Sequence, residues 1–267
     1  MIGVELGKLL RRPRTWVSIF LLAALPTIVA IFLAASEIAP RPGTGPAFLA
    51  AVLENGSLYP AAALAIVLPL FLPIAVAVVA GDAVAGEAQD GTLRYLLIRP
   101  VGRTRLLVAK MISVGSYTML AVAVVAAVAY VVGTQLFGSA PLPSVSGTEL
   151  STGSATLRTV LAVLYVGWSM LGVAAVALFL STVTDSPLGA ALGAIALLIT
   201  SGVLVALDSA ASVQPYLPTR YWLAFVDLFR DPVLTRDLLR GTALQAVYIT
   251  VFLGAAWANL TTKDITS

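Results

Sequence analysis

The sequence predicts an all-α polytopic membrane protein, a single transmembrane domain over residues 1–267 with six spanning helices. Three observations carry this. Apolar residues make up 59% of the chain and charged residues 11%, with a mean hydropathy of +0.98, whereas soluble domains carry about 25% charged residues. Six runs contain no Asp, Glu, Lys or Arg: Thr15–Ser36, Asn55–Gly81, Met111–Thr148, Thr159–Thr184, Ser186–Leu207 and Gly241–Thr262. Each reaches the roughly 20 residues a helix needs to cross about 30 Å of hydrocarbon. None of them alternates polar and apolar residues as barrel strands do, so the backbone must be satisfied within helices.

Taken in order, Met1 to Arg12 sets Ile2, Val4, Leu6, Leu9 and Leu10 among Glu5, Lys8, Arg11 and Arg12. This predicts a weakly amphipathic helix along the cytoplasmic membrane surface, redirected at Pro13; a plain basic flank fits the same residues. The first span is placed at about 16–35. Its KLLRRPR start and LAASEIA end resemble a signal peptide, but the apolar run exceeds a typical signal core and five spans follow, so it is expected to be retained. The second span, about 58–81, contains Pro60, Pro69 and Pro73, and the first contains Pro26; each proline removes a backbone donor and predicts a kink.

The remaining spans are placed at about 111–136, 159–183, 187–207 and 242–261. Ser186-Pro187 is a helix-start signal for the fifth, and Gly189 and Gly193 have the spacing that lets helices approach closely. No charged residue is expected deep within a span, and Gln135, Gln245 and Asn259 are expected to make ordinary interfacial hydrogen bonds. Before the last span, Trp222, Phe225, Val226 and Phe229 recur at i, i+3, i+4, i+7 after a Pro218-Thr219 start. They predict an interfacial helix with one aromatic face, either a packed cap or a gate, and a second short helix from Thr235.

Basic residues set the orientation. Lys8, Arg11, Arg12, Arg14, Arg94, Arg99, Arg103, Arg105, Lys110 and Lys263 fall on one side, and Arg41, Arg158, Arg220, Arg230, Arg236 and Arg240 on the other. The excess places both termini in the cytoplasm of a multi-pass protein of the cell inner (plasma) membrane. The net charge of +3 is accounted for by these span ends and implies membrane lipids, not nucleic acid, as partners. With neither Cys nor His in the chain, disulfides and the commonest metal, haem and proton-relay ligands are absent. No G-x-x-x-x-G-K-[ST] phosphate loop is present, and no span carries a base to activate a nucleophile, so the chain is not expected to be an enzyme.

The inner connection between spans two and three holds the densest charge. In EAQDGTLRYLLIRPVGRTRLLVAK (Glu87 to Lys110), Leu93, Leu96 and Leu97 line one face of a short helix and Asp90 pairs with Arg94 at i,i+4. Gly91-Thr92 can cap its start and Pro100 ends it. Arg103, Arg105 and Lys110 are expected to meet anionic head groups and anchor the third span. Periodicity alone leaves a lipid anchor and a docking helix equally open.

This stretch, preceded by GDAVAG, resembles the inner loop of ABC-2 type ABC-transporter permeases: an acidic helix, Gly-Thr-Leu, paired leucines, Pro, and an Arg-led run to a lysine. The six spans, the large outer loop before the last of them and the KDITS ending are similar to that family as well. The resemblance implies that residues 87–97 form a coupling helix, with Glu87, Gly91, Thr92, Leu93 and Leu97 at matching positions. It implies two copies of an ABC ATP-binding subunit as partners, and a second permease copy forming a homodimer or a related heterodimer. ATP and Mg are then expected in the partner subunit, and no cofactor in this chain. The implied function is that of a permease subunit, an exporter of amphipathic, lipid-like or drug-like cargo. The alternative is a membrane scaffold or assembly protein that transports nothing.

Overall fold

The computed structural model describes residues 2–36, 55–89, 91, 102–138, 142–143, 149–150 and 152–262. The helices are α1 (Ile2–Arg11), α2 (Pro13–Ser36), α3 (Tyr59–Val67), α4 (Phe71–Gln89), α5 (Arg103–Phe137), α6 (Thr152–Val183), α7 (Pro187–Ala206) and α8 (Arg236–Thr262). Leu142–Pro143 and Glu149–Leu150 form a minimal antiparallel pair, β1 and β2. Six of the helices are long and apolar enough to cross a membrane, α2 and α4 to α8, consistent with a multi-pass membrane protein.

The bundle is built around α6, which packs against α4, α5, α7 and α8. Small side chains make this possible: Ala162, Ala174, Ala175 and Ala177 are fully buried along it, and small residues let helix axes close in where lipid gives no hydrophobic drive. On one flank α2 and α3 pack on α5; on the other α4 packs on α6 and α7. The start signal at Ser186 works as expected, since Ser186 Oγ accepts from Gly189 N at 3.1 Å and Pro187 opens α7.

The second span differs from the kinked rod that its prolines suggest. Pro60 lies in the first turn of α3, where no donor is needed. Leu68 keeps helical dihedrals and its bond to Leu64 O, but the run of helical hydrogen bonds is interrupted over Leu68–Leu70 and resumes at Phe71. Pro69 and Pro73 cannot give N–H groups to the carbonyls of Ala65 and Pro69, which breaks the ladder in two places. Pro26 by contrast stays inside a continuous α2, and the Tyr59 hydroxyl donates to its carbonyl. Between the two pieces of the flank, Gly56 meets Gly133 backbone to backbone, where any Cβ would collide with a carbonyl oxygen.

Candidate functional site

The helices extend past the uncharged runs, and part of the charge this adds is buried. At the end of the bundle that carries α1, Glu5 and Lys8 on α1 meet Glu87 on α4 and Lys110 on α5. Lys110 Nζ stands 2.5 Å from Glu87 Oε1 and 3.0 Å from Glu5 Oε2, while Lys8 Nζ lies 3.2 Å from Glu5 Oε1 and 3.2 Å from Glu87 Oε1. The four groups form a closed ring of alternating sign with no net charge. Glu5, Glu87 and Lys110 are buried at 8%, 7% and 4% exposure, and Lys8 connects the ring to water.

This corrects the expected role of Lys110 at anionic head groups: its ammonium is enclosed by two carboxylates, and a neutral ring makes burial tolerable where an isolated charge is not. Glu87 and Lys110 lie just outside the uncharged runs that define the spans.

Beside the ring, Arg12 Nη1 bonds Asp82 Oδ2 at 2.6 Å and Arg14 Nη1 approaches it at 3.3 Å. Gly86 makes room: a Cβ there would meet Asp82 Oδ1 at 2.6 Å. A narrow cleft of about 60 Å³ separates the two charge clusters. The α4 turn that presents Asp82 and Glu87 is set by Ser181 of α6. Its Oγ donates to Gly81 O at 2.6 Å and accepts from Val84 N and Ala85 N at 3.1 and 2.9 Å, so a side chain is inserted into the helical ladder.

The charges on α1 respond to this setting. Burial pushes the Glu5 carboxyl up, but the charge and hydrogen bond of Lys110, with Lys8 adding to both, outweigh it and hold Glu5 below its ordinary value of 4.5. Burial pushes Lys8 down, and the carboxylates of Glu87 and Glu5 outweigh that and raise it above 10.5. Both shifts favour the charged forms of Glu5 and Lys8. Few apolar contacts support α1 otherwise, since Leu9 is its one buried apolar side chain; Ser113 Oγ adds a 3.4 Å contact to Glu5 O.

Of the expected coupling-helix residues, Glu87 ends up in the ring. Gly91 has φ of +68°, the left-handed conformation that suits glycine after a helix end. Asp90, Thr92, Leu93, Leu96 and Leu97 lie outside the described residues. Arg103 is not simply an anchor: its Nη1 donates to the carbonyls of Leu260 and Thr261 at 2.6 and 2.8 Å, capping the C-terminal turn of α8. Trp257 Nε1 reaches Thr104 Oγ1 at 2.8 Å and Asn259 Nδ2 reaches Thr182 O at 2.8 Å, so α8 ends tied to α5 and α6. Arg105 is exposed on α5.

At the opposite end, the aromatic segment is a 3-10 helix over Trp222–Phe229 and not an α-helix, and it faces inward. Trp222, Phe225 and Leu228, three residues apart, are buried together with Phe229, while Val226 is half-buried; a period of three fits the tighter helix. The aromatic face is therefore core, packed on α6 and α8, the arrangement of a packed cap. The second short helix expected from Thr235 is simply the first turn of α8.

Uncharged hydrogen bonds dominate the hold on this cap. Gln245 Nε2 donates to Pro218 O at 2.8 Å, Tyr165 Oη to Tyr221 O at 2.7 Å and Tyr248 Oη to Tyr216 O at 3.0 Å, and Ser201 Oγ pairs with Thr219 Oγ1 at 2.7 Å. Farther out, Arg158 Nη1 reaches Arg230 O at 2.9 Å. Gln245, read from the sequence as interfacial, is 1% exposed and lies directly over Gly172, the one residue type that leaves it space.

The charged ring escaped the sequence reading because its members are far apart in the chain. The available signal is that Glu87 and Lys110 stand close to the ends of the uncharged runs that they flank. The chain belongs to the family described as a protein of unknown function, DUF2705, whose model matches residues 20–266. No curated protein matches it.

Proposed function

We propose that this chain is the membrane-spanning permease subunit of an ATP-driven transporter of the ABC-2 type, exporting amphipathic, lipid-like or drug-like cargo. In this reading both termini face the cytoplasm, two permease copies share a pathway, and separate ATP-binding subunits dock on the connection between α4 and α5 through Leu93, Leu96 and Leu97. The observation that carries the proposal is the 2.5 Å ion pair between Glu87 and Lys110, which joins the two roots of that connection.

A docking segment does work only if its displacement is passed on. Here the roots are tied to one another and to α1, so a push on the connection moves α4, α5 and α1 as a unit instead of being lost in a slack loop. Differential binding of ATP to closed and open states of the partner supplies the bias, and the tied helices are the element that responds. The resemblance of residues 87–110 to the inner loop of such permeases supports the same assignment.

The test is whether an ATP-binding subunit is encoded beside this chain's gene and co-purifies with the chain. Leu93→Asp with Leu97→Asp is expected to abolish co-purification and coupled ATP turnover while membrane insertion stays normal. Retention of the partner by this double variant removes the docking assignment. Absence of any neighbouring ATP-binding subunit, with the chain retained in a membrane assembly, favours the scaffold instead.

A further inference from the structure

We infer that the fissure between α7 and α8 binds an acyl chain of an anionic bilayer lipid, with the lipid's phosphate at Arg240. This rests on the membrane-spanning reading of the helices and not on the transport reading.

Both α7 and α8 pack on α6, and between them runs a fissure of about 560 Å³, within the size range of small-molecule sites. Leu197 and Leu204 line one wall, Leu244, Val247, Val251 and Phe252 the other, and the segment Tyr216–Pro218 lies across it. That segment is irregular backbone, which hydrocarbon tolerates only if every polar group is satisfied. It is. The carbonyls of Tyr216, Leu217 and Pro218 accept from Tyr248 Oη, Arg220 N and Gln245 Nε2, and the N–H groups of Tyr216 and Leu217 donate to Val213 and Gln214. The hydroxyls in the walls are equally engaged: Thr200 with Ala196 O at 2.8 Å and Ser201 with Thr219 at 2.7 Å. A fissure whose polar atoms are all committed has nothing to offer water and suits a hydrocarbon chain.

A cation one turn before the lining stretch of α8 selects the lipid. Arg240, Leu244, Val247 and Val251 follow one another at i, i+4, i+7 and i+11, so the guanidinium heads the same stripe of α8 that lines the wall. Arg240 is 52% exposed at its side chain; Asp237, one turn earlier, stands 3.9 Å away, an ion pair beyond hydrogen-bond reach. Arg236 adds a second exposed cation one turn beyond. A cation above a hydrocarbon track matches a phosphate above an acyl chain.

The test uses the full chain, reconstituted in vesicles of equal parts phosphatidylcholine and phosphatidylglycerol and then extracted in mild detergent, with the retained lipid counted by mass spectrometry. Wild type is expected to keep phosphatidylglycerol in preference to phosphatidylcholine. Thr200→Trp with Val247→Trp, both at exposed rim positions, fills the fissure and is expected to abolish retention of either lipid. Arg240→Gln leaves the fissure open and is expected to lower the preference for phosphatidylglycerol about fivefold, the effect of one Arg near an anionic surface. Equal retention of the two lipids by wild type, or unchanged retention by the filled variant, overturns the proposal. Loss of self-association in the filled variant with lipid retention intact would instead make the fissure a contact between copies. No ATP-binding subunit enters this assay, so its failure leaves the transport reading where it stood.

Discussion

The two ends of the bundle are held by opposite chemistry. At the α1 end, four side chains from three helices close a ring of full charges around Lys110. At the other end, mainly neutral donors from α6, α7 and α8 reach into the cap segment, and buried aromatics do the packing. Charge-held contacts strengthen or fail with protonation and with competing ions; neutral hydrogen bonds under an aromatic cover do not. The molecule thus has one adjustable end and one fixed end.

Removing the hub of the ring should break this contrast most severely. Lys110→Met leaves Glu5 and Glu87 facing each other in a buried site, and a loss of about 3–5 kcal/mol is expected in denaturant unfolding of the purified protein, typical of stranding one side of a buried pair. Glu87→Gln in the same chain should recover a large part of it. If Lys110→Met unfolds like wild type, the ring does not hold this end.

At the fixed end, Gln245→Leu takes the donor from the buried carbonyl of Pro218 and is expected to cost about 1–3 kcal/mol. That cost should be the same at pH 5 and pH 8, because nothing near the bond has to titrate; a pH-dependent cost would erase the distinction between the ends.

Acid sharpens the comparison next. Glu5 is held below its ordinary value of 4.5, so its stabilising contribution is complete above that value and is lost as pH falls through the lowered one. Lys8 is raised above 10.5, so its contribution is complete below that value and fades only in stronger base. The chain has no cysteine, so Leu9→Cys places a unique, buried thiol under α1. After exposure to pH 3 and return to neutral under rapid labelling, its maleimide reaction should be faster than after pH 6, while a cysteine placed at buried Leu228 should show no change. Equal acceleration at both sites would mean general unfolding instead.

The smallest effect is expected at Trp222→Phe. Its Nε1 is buried with no hydrogen-bond partner among the described residues, so removing that donor offsets part of the lost packing, and a net change of roughly 1 kcal/mol or less should appear in the same unfolding assay. A large loss would reveal a bonded indole and a more polar cap.

What the sequence made legible follows the range of each interaction. The spans and the Ser186-Pro187 start are local, written in hydropathy and in one cap, and the helices α2 and α5 to α8 lie where the uncharged runs place them. The ends were misjudged because charge was taken as a stop signal, whereas Lys110 and Glu87 are carried inside by partners that no local pattern announces. Trp222 and Phe225 fit both a 3-10 and an α period while Phe229 favours α, and burial of Leu228 in place of Val226 reveals the tighter helix only once the chain is folded. Gln245 was read by its distance from the end of a run, yet its partner at Pro218 is contributed by a loop folded back between α7 and α8.

The interruption at Leu68–Leu70 joins segments that belong to different neighbourhoods: α3 leans on α5, while α4 leans on α6 and α7. Were those two neighbourhoods to swivel against each other, a straight rod would have to bend or tear its packing on one side. A chain whose helical bonds are already thinned there can flex at that point, so that movement of α4 with its tied partners need not be carried rigidly into α3.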